Sequence, residues 1–204
     1  EELAESIGFD LGKAYLLITY HSVTLGDSPT SDELDELLTS LAELPDDVRF
    51  IITMPNADAG GRALASQIRG FVQQHAHRAA AFTSLGQLRY LSAMKHCIAV
   101  VGNSSSGIIE APTLGVGVVN IGDRQKGRVQ AESVINCQSE RGEITRALAR
   151  AITPEYQKFA ANVTNPYGPA GASEKIAKVA ATVPLSELTR KSFHDLASPQ
   201  GGAL

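Results

Sequence analysis

Residues 97–110 read Cys97-Ile98-Ala99-Val100-Val101-Gly102-Asn103-Ser104-Ser105-Ser106-Gly107-Ile108-Ile109-Glu110. The opening run, Cys97 to Val101, is apolar without interruption, the pattern of a strand buried on both faces. Glycine then breaks it, polar residues follow, and Ile108-Ile109 resumes an apolar pattern on a helix. A strand that runs through a glycine- and hydroxyl-rich turn into a helix is part of a βαβ unit.

The same alternation recurs on both sides of this stretch. Upstream, Tyr15-Leu16-Leu17-Ile18-Thr19 reads as a buried strand, and residues 32–44 follow with Leu34, Leu37, Leu38 and Leu41 on one helical face. Thr30-Ser31-Asp32-Glu33 offers a capping box at that helix's start, and Pro45 marks its end. Residues 48–53 are a second strand and 61–75 a second helix; 80–82 is a weak third strand, followed by a helix through Leu88, Leu91 and Met94. Downstream of the central strand, a helix is expected over 105–114 and a fifth strand over 117–121, with a sixth starting at Val134-Ile135. Helices over 140–151, 154–162 and 173–182 close the chain, Thr153-Pro154 placing a capping side chain before a helix-compatible proline. Residues 197–204 read as a frayed tail, and no internal repeat is visible. Strands and helices alternating at this spacing predict a Rossmann-like, three-layer α/β fold with a parallel sheet. In such sheets ligands bind beyond the carboxyl ends of the strands.

Bulk properties narrow the function. The chain has 204 residues, 43% of them hydrophobic and 20% charged, and a net charge of -4. Acidic and basic residues are interleaved, so there is no basic stripe for nucleic acid. No apolar stretch approaches the ~20 residues that cross a bilayer, and Glu1-Glu2-Leu3 does not open a signal peptide. A cytoplasmic protein without nucleic-acid or membrane partners is expected. The absence of an initiator Met is expected of a piece of a longer protein. Cys97 and Cys137 lack CxxC spacing and a histidine cluster, so no metal is expected, and both read as small core residues of buried strands.

Four segments carry chemistry. In the first, Ser104, Ser105 and Ser106 occupy the opening turn of a helix, and Gly102 and Gly107 would let backbone approach a ligand. Unpaired N–H groups and the helix dipole favour an anion such as a diphosphate there. Glu110, about a turn and a half on, could accept hydrogen bonds from a sugar diol. The same residues also describe an Asn/Ser cap on an ordinary helix. The second segment, Asn120-Ile121-Gly122-Asp123-Arg124-Gln125-Lys126-Gly127-Arg128, sets three cations at the end of a strand. A guanidinium suits phosphate, although loop charges can equally be solvated. His21, third, stands just past the first strand, where an imidazole can donate a hydrogen bond or a proton. His75, His77, His96 and His194 fall on helices or helix ends and read as structural or surface residues. The fourth, Pro55-Asn56-Ala57-Asp58-Ala59-Gly60-Gly61, leaves the second strand with small polar side chains.

With these segments in order, the sequence resembles the hydrolysing UDP-N-acetylglucosamine 2-epimerases of sialic and related nonulosonic acid pathways, over nearly the whole chain and over that family's C-terminal half. The strongest stretch is Gly102 to Arg128; Asn165-Pro166-Tyr167-Gly168, Ala172-Ser173-Glu174-Lys175-Ile176 and Lys191-Ser192-Phe193 add to it. Non-hydrolysing relatives carry Asp-Ser-Gly-Gly after the fourth strand and a Thr-Glu-Arg-Pro-Glu-like string after the fifth, and neither occurs here. The resemblance implies the C-terminal domain of a glycosyltransferase-B-like two-domain fold. Residues 1–13 would be an interdomain linker, 14–184 the UDP-sugar-binding domain and 185–204 a closing helix and tail. An N-terminal domain of the same protein, supplying most catalytic acids, would be its first partner, UDP or a UDP-N-acetylhexosamine its ligand, and a second copy a further partner. No cofactor is implied.

Carried over residue by residue, Ser104 and Ser105 would bind the diphosphate, within a ligand-contacting stretch that also takes in Asn103, Ser106 and Gly107. Glu110 would bind the ribose and Arg124 would lie by the phosphates. His21 would be the catalytic residue, helping UDP to leave. Asn56 would line the cleft, and Ser84 or Leu85 would meet the uracil. The implied reaction eliminates UDP to a 2-acetamidoglycal and adds water with inversion at C2. Ser22 departs from the family, which usually carries proline there; serine would loosen the loop holding His21. Two other readings use the same architecture: a UDP-sugar-dependent glycosyltransferase domain, and a non-catalytic sugar-nucleotide-binding or assembly domain.

Overall fold

The computed structural model describes residues 2–23, 29–56, 60–168 and 171–188. Among them a six-stranded, wholly parallel sheet forms in the order β3-β2-β1-β4-β5-β6. The strands are β1 (Ala14–Thr19), β2 (Val48–Thr53), β3 (Ala79–Phe82), β4 (Ala99–Gly102), β5 (Val118–Ile121) and β6 (Val134–Cys137). This is the doubly wound order of nucleotide-binding sheets, and it reverses direction between β1 and β4.

Strand residues alternate between two cores, as a pleat requires. Leu16, Ile18, Phe50, Ile52, Val101 and Val119 face one side. They pack there with α2 (Thr30–Ala42), α3 (Gly61–Gln74) and α6 (Arg141–Ala151) through Leu34, Leu37, Leu41, Leu64, Ile68, Ile144 and Leu148. Tyr15, Leu17, Ile51, Val100 and Val118 face the other, against Ala93 and Met94 of α4 (Gly86–His96). Residues of the expected linker add to this second core: Leu3 and Ile7 of α1 (Glu2–Ile7), with Phe9 and Leu11, pack against it. Both faces of the sheet are therefore covered, which is why β1, β2 and β4 can be apolar almost throughout.

Local details depart from expectation in three places. The capping box before α2 does not form: the helix starts at Thr30 after Pro29, with no side-chain cap. Thr30 Oγ1 instead accepts from the Val23 amide at 3.1 Å and donates to its carbonyl at 3.2 Å, tying α2 to the segment after β1. Cys97 is not in a strand; it ends α4, and β4 begins at Ala99. The helix expected over 105–114 divides into α5 (Ser105–Ile109) and a 3-10 turn over Ala111–Leu114, because Pro112 has no N–H to continue the ladder. The cap before α7 (Pro154–Ala160) does form, with Thr153 Oγ1 accepting from the Tyr156 amide at 3.2 Å.

The chain divides into two compact units, residues 1–168 and 169–204. The second contains α8 (Ala172–Thr182), which buries none of its residues, and α9 (Leu185–Leu188). The expected tail over 197–204 lies outside the described residues.

Candidate functional site

Because the chain leaves β1 toward β2 and leaves β4 toward β5, the segments beyond these neighbouring strands diverge and open a crevice. Its corner is tightly built. Gly102 has φ +131°, and a Cβ there would lie 2.0 Å from the Thr19 carbonyl oxygen, so only glycine lets the turn after β4 approach β1. Asn103, 1% exposed, follows it. Its Oδ1 accepts from the His21 amide and its Nδ2 donates to the His21 carbonyl, both at 2.8 Å. Its own carbonyl accepts from Arg124 Nη1 at 3.1 Å and from Gln125 Nε2 at 2.8 Å. The turns after β1, β4 and β5 thus meet at one buried residue.

A cavity of about 370 Å³ opens beside this corner, at the carboxyl ends of β1, β2, β3 and β4. His21, Asn56, Ser84, Ser104 and Ser106, all singled out in the sequence, line it together, as does Leu85. His21 Nδ1 accepts from the Asn56 amide at 3.3 Å, so in the neutral ring Nε2 carries the hydrogen. Asn56 is set by a close approach: a Cβ on Gly61 would stand 2.3 Å from the Asn56 carbonyl oxygen. Ser104 caps α5, its Oγ accepting from the Ser106 amide at 3.4 Å. The Ser105 amide in the same turn meets no acceptor among the described residues.

A row of hydroxyls crosses the cavity wall. Thr53 and Thr19 Oγ1 are 2.8 Å apart, and Tyr90 Oη lies 3.4 Å from Thr19 Oγ1 and 2.6 Å from Ser106 Oγ. Ser106 Oγ is in turn 3.0 Å from Ser104 Oγ. Burial raises the Tyr90 pKa, with smaller opposing effects from Ser106 and Thr19, so at neutral pH the phenol keeps its hydrogen. Sequence reasoning missed Thr19, Thr53 and Tyr90, although both threonines end their strands, where the carboxyl-edge rule points. It also passed over Gln125, whose role depends on a contact 22 residues away in sequence.

The other expected site residues fall elsewhere. Gly107 is buried, and a Cβ on it would lie 3.0 Å from Val118 Cγ1, so the glycine lets α5 pack on the sheet. Its amide already donates to the Ser104 carbonyl at 3.3 Å. Glu110 is exposed at the end of α5, outside the cavity lining, with its carboxyl pKa raised by desolvation. Arg124 is also outside the lining, held at the corner by Asn103. Lys126 and Arg128 line a separate cleft of about 350 Å³ beyond β5 and β6, where Lys126 Nζ meets Asp123 at 3.1 Å. Of the three clustered cations, Arg124 is the one tied to the corner. Among the described residues, no group of three His, Cys, Asp or Glu could hold a metal, and no helix is long and apolar enough to cross a membrane.

The model of the UDP-N-acetylglucosamine 2-epimerase family matches residues 1–181. The chain belongs to this family. It is 36% identical over 158 residues to a GDP/UDP-N,N'-diacetylbacillosamine 2-epimerase (hydrolyzing) of Campylobacter jejuni, a match covering 78% of this chain and 40% of that protein. It is 34% identical over 155 residues to the polysialic acid biosynthesis protein P7 of Escherichia coli, covering 76% and 39%. Among solved structures, the UDP-GlcNAc 2-epimerase of Neisseria meningitidis bound to UDP-GlcNAc superposes with a TM-score of 0.63 at 21% identity, covering 89% of this chain and 48% of that one. The S. aureus MnaA–UDP co-structure gives 0.66 at 18% identity, with 94% and 51% covered. This epimerase-family chain therefore spans about two fifths of the length of those curated relatives and about half that of the structures. The matching part is the C-terminal half of the curated relatives.

Proposed function

We propose that this chain is the nucleotide-holding half of a hydrolysing 2-epimerase acting on UDP-N-acetylglucosamine or a derivative, releasing UDP and N-acetylmannosamine or its counterpart. The observation that carries the reading is the cavity at the sheet's reversal point. There the His21 ring, a hydroxyl row and the opening turn of α5 converge in a chain of this family.

The leaving group is a diphosphate, so bond cleavage at the anomeric carbon builds negative charge on a phosphoryl oxygen. In this reading the hydrogen on His21 Nε2 and the hydroxyls of Ser104 and Ser106 meet that charge, Ser105 adds its amide, and Arg124 lies by the phosphates. Asn56 and Ser84 flank the ligand, Leu85 packs against its base, and Glu110 reaches the ribose at the rim. As UDP leaves C1, a carboxylate of the other half takes the C2 proton, giving a 2-acetamidoglycal. Water then adds, its hydroxyl to C1 and a proton to the opposite face of C2, which inverts that centre. The reading extends to the making of sialic or related nonulosonic acids in the cytoplasm, with a second copy of the enzyme as a partner.

Titrating UDP into the 204-residue chain while recording amide NMR spectra tests the binding role. Shifts should concentrate at residues 102–107 and around His21. Silence there at millimolar UDP would remove the assignment. For the longer protein, release of free N-acetylmannosamine in the absence of an acceptor separates an epimerase from a glycosyltransferase.

A further inference from the structure

We infer that Asn103 is a positioning residue, which does not touch the nucleotide but sets where His21 and Arg124 stand around it. This rests on the nucleotide site proposed above and changes the part Asn103 plays in it.

At 1% exposure the side chain has no surface to offer a ligand. Each of its polar atoms is already engaged within the protein. The amide donates to Thr19 O at 3.2 Å, and the carbonyl accepts from Arg124 and Gln125. The carboxamide accepts from His21 N and donates to His21 O, each at 2.8 Å.

That two-point clasp needs a donor and an acceptor at the tip of one short side chain, which only asparagine supplies. Aspartate would turn a second acceptor toward the His21 carbonyl, serine would reach one atom at most, and glutamine is longer by a methylene. The segment needs such a clasp. His21 lies beyond the last β1 residue, and Ser22 Oγ beside it is buried without a hydrogen-bond partner among the described residues. With the main chain held by Asn103 and Nδ1 held by the Asn56 amide, the direction of His21 Nε2 is fixed. The loosening expected from serine at position 22 is thereby opposed from across the crevice.

The test compares wild type, Asn103→Ala, His21→Ala and the double variant in the 204-residue chain by UDP calorimetry, with imidazole ¹⁵N spectra alongside. Folded Asn103→Ala should bind UDP about tenfold more weakly, the scale of a lost buried hydrogen-bond pair, with displaced His21 ring resonances. Placed on His21→Ala, the same change should add less than about twofold, because residues acting as one unit are not additive. Unchanged UDP affinity in folded Asn103→Ala, or losses that multiply in the double variant, would overturn the inference and leave the proposed function standing. No binding by wild type would instead overturn the proposed function, and this inference with it. Should Asn103→Ala fail to fold, hydrogen exchange of the wild-type His21 amide decides. Protection supports the clasp, and exchange at the rate of an open coil refutes it.

Discussion

Ser104 shows how much one oxygen can be asked to do. Its Oγ accepts from the Ser106 amide and sits within hydrogen-bond reach of Ser106 Oγ, while the residue lines the cavity. Ser104→Ala should therefore act twice. Urea unfolding should register the lost cap as about 1 kcal/mol, and calorimetry should show UDP binding weakened several-fold; a cap without a ligand role would give only the first. The cysteines are legible at this scale too. Burial raises the Cys97 thiol pKa to about 12, and burial with Glu143 nearby raises Cys137 to about 11. Both are free thiols and stay protonated at pH 8. Iodoacetamide should label neither at an appreciable rate in the folded chain and both once it is denatured.

Among the elements, α2 is tied down at its end as well as along its apolar face. Arg78, 3% exposed, donates to the carbonyls of Ala42 (2.8 Å), Leu44 (3.0 Å) and Pro45 (3.3 Å), and its guanidinium lies 5.1 Å from the Phe50 ring centroid. Arg78→Leu should lower stability by about 3 kcal/mol in denaturant titration, since buried carbonyls lose their donor. Nearby, the hydrogen bond from His77, with Arg78 and Arg49 adding charge, holds the Asp46 carboxyl below its ordinary value. A depressed folded pKa stabilises above the ordinary carboxylate range, and the contribution fades as pH falls through the folded value. Asp46→Asn should therefore flatten the acid limb of the thermal midpoint, from the ordinary carboxylate range downward. The sequence showed the apolar face of α2 at the right spacing, yet it misplaced the start of the helix. Thr30 had two uses, capping α2 or bonding the Val23 main chain, and only packing chose between them. Pro112 is equally visible in the sequence, and it divides the helix that follows Ser104.

The whole molecule should respond to its ligand as a folded binder does. At a UDP concentration 100 times the dissociation constant, stabilisation should be about 2.7 kcal/mol, seen as a rise in the melting midpoint that uridine alone does not reproduce. Among the described residues, deleting residues 169–204 removes none from either hydrophobic core. The shortened chain should still melt in one cooperative transition. A broad or absent transition would show that the second unit is needed for the first to fold.

Periodicity alone determined the alternation of strands and helices, the parallel sheet and the edge at which to look, because apolar spacing is a local property of the chain. The string from Gly102 to Arg128 added the family resemblance, and its first part supplied two of the cavity-lining residues, Ser104 and Ser106. Folding decided the division of labour within that string. Gly102 and Gly107 serve strand and helix packing, Asn103 faces inward onto His21, and Ser104 and Ser106 face the cavity beside a tyrosine that no motif announced. Those roles depend on contacts as distant as the 82 residues between His21 and Asn103. A linear pattern holds no record of which carbonyl a carboxamide will meet once the sheet has closed.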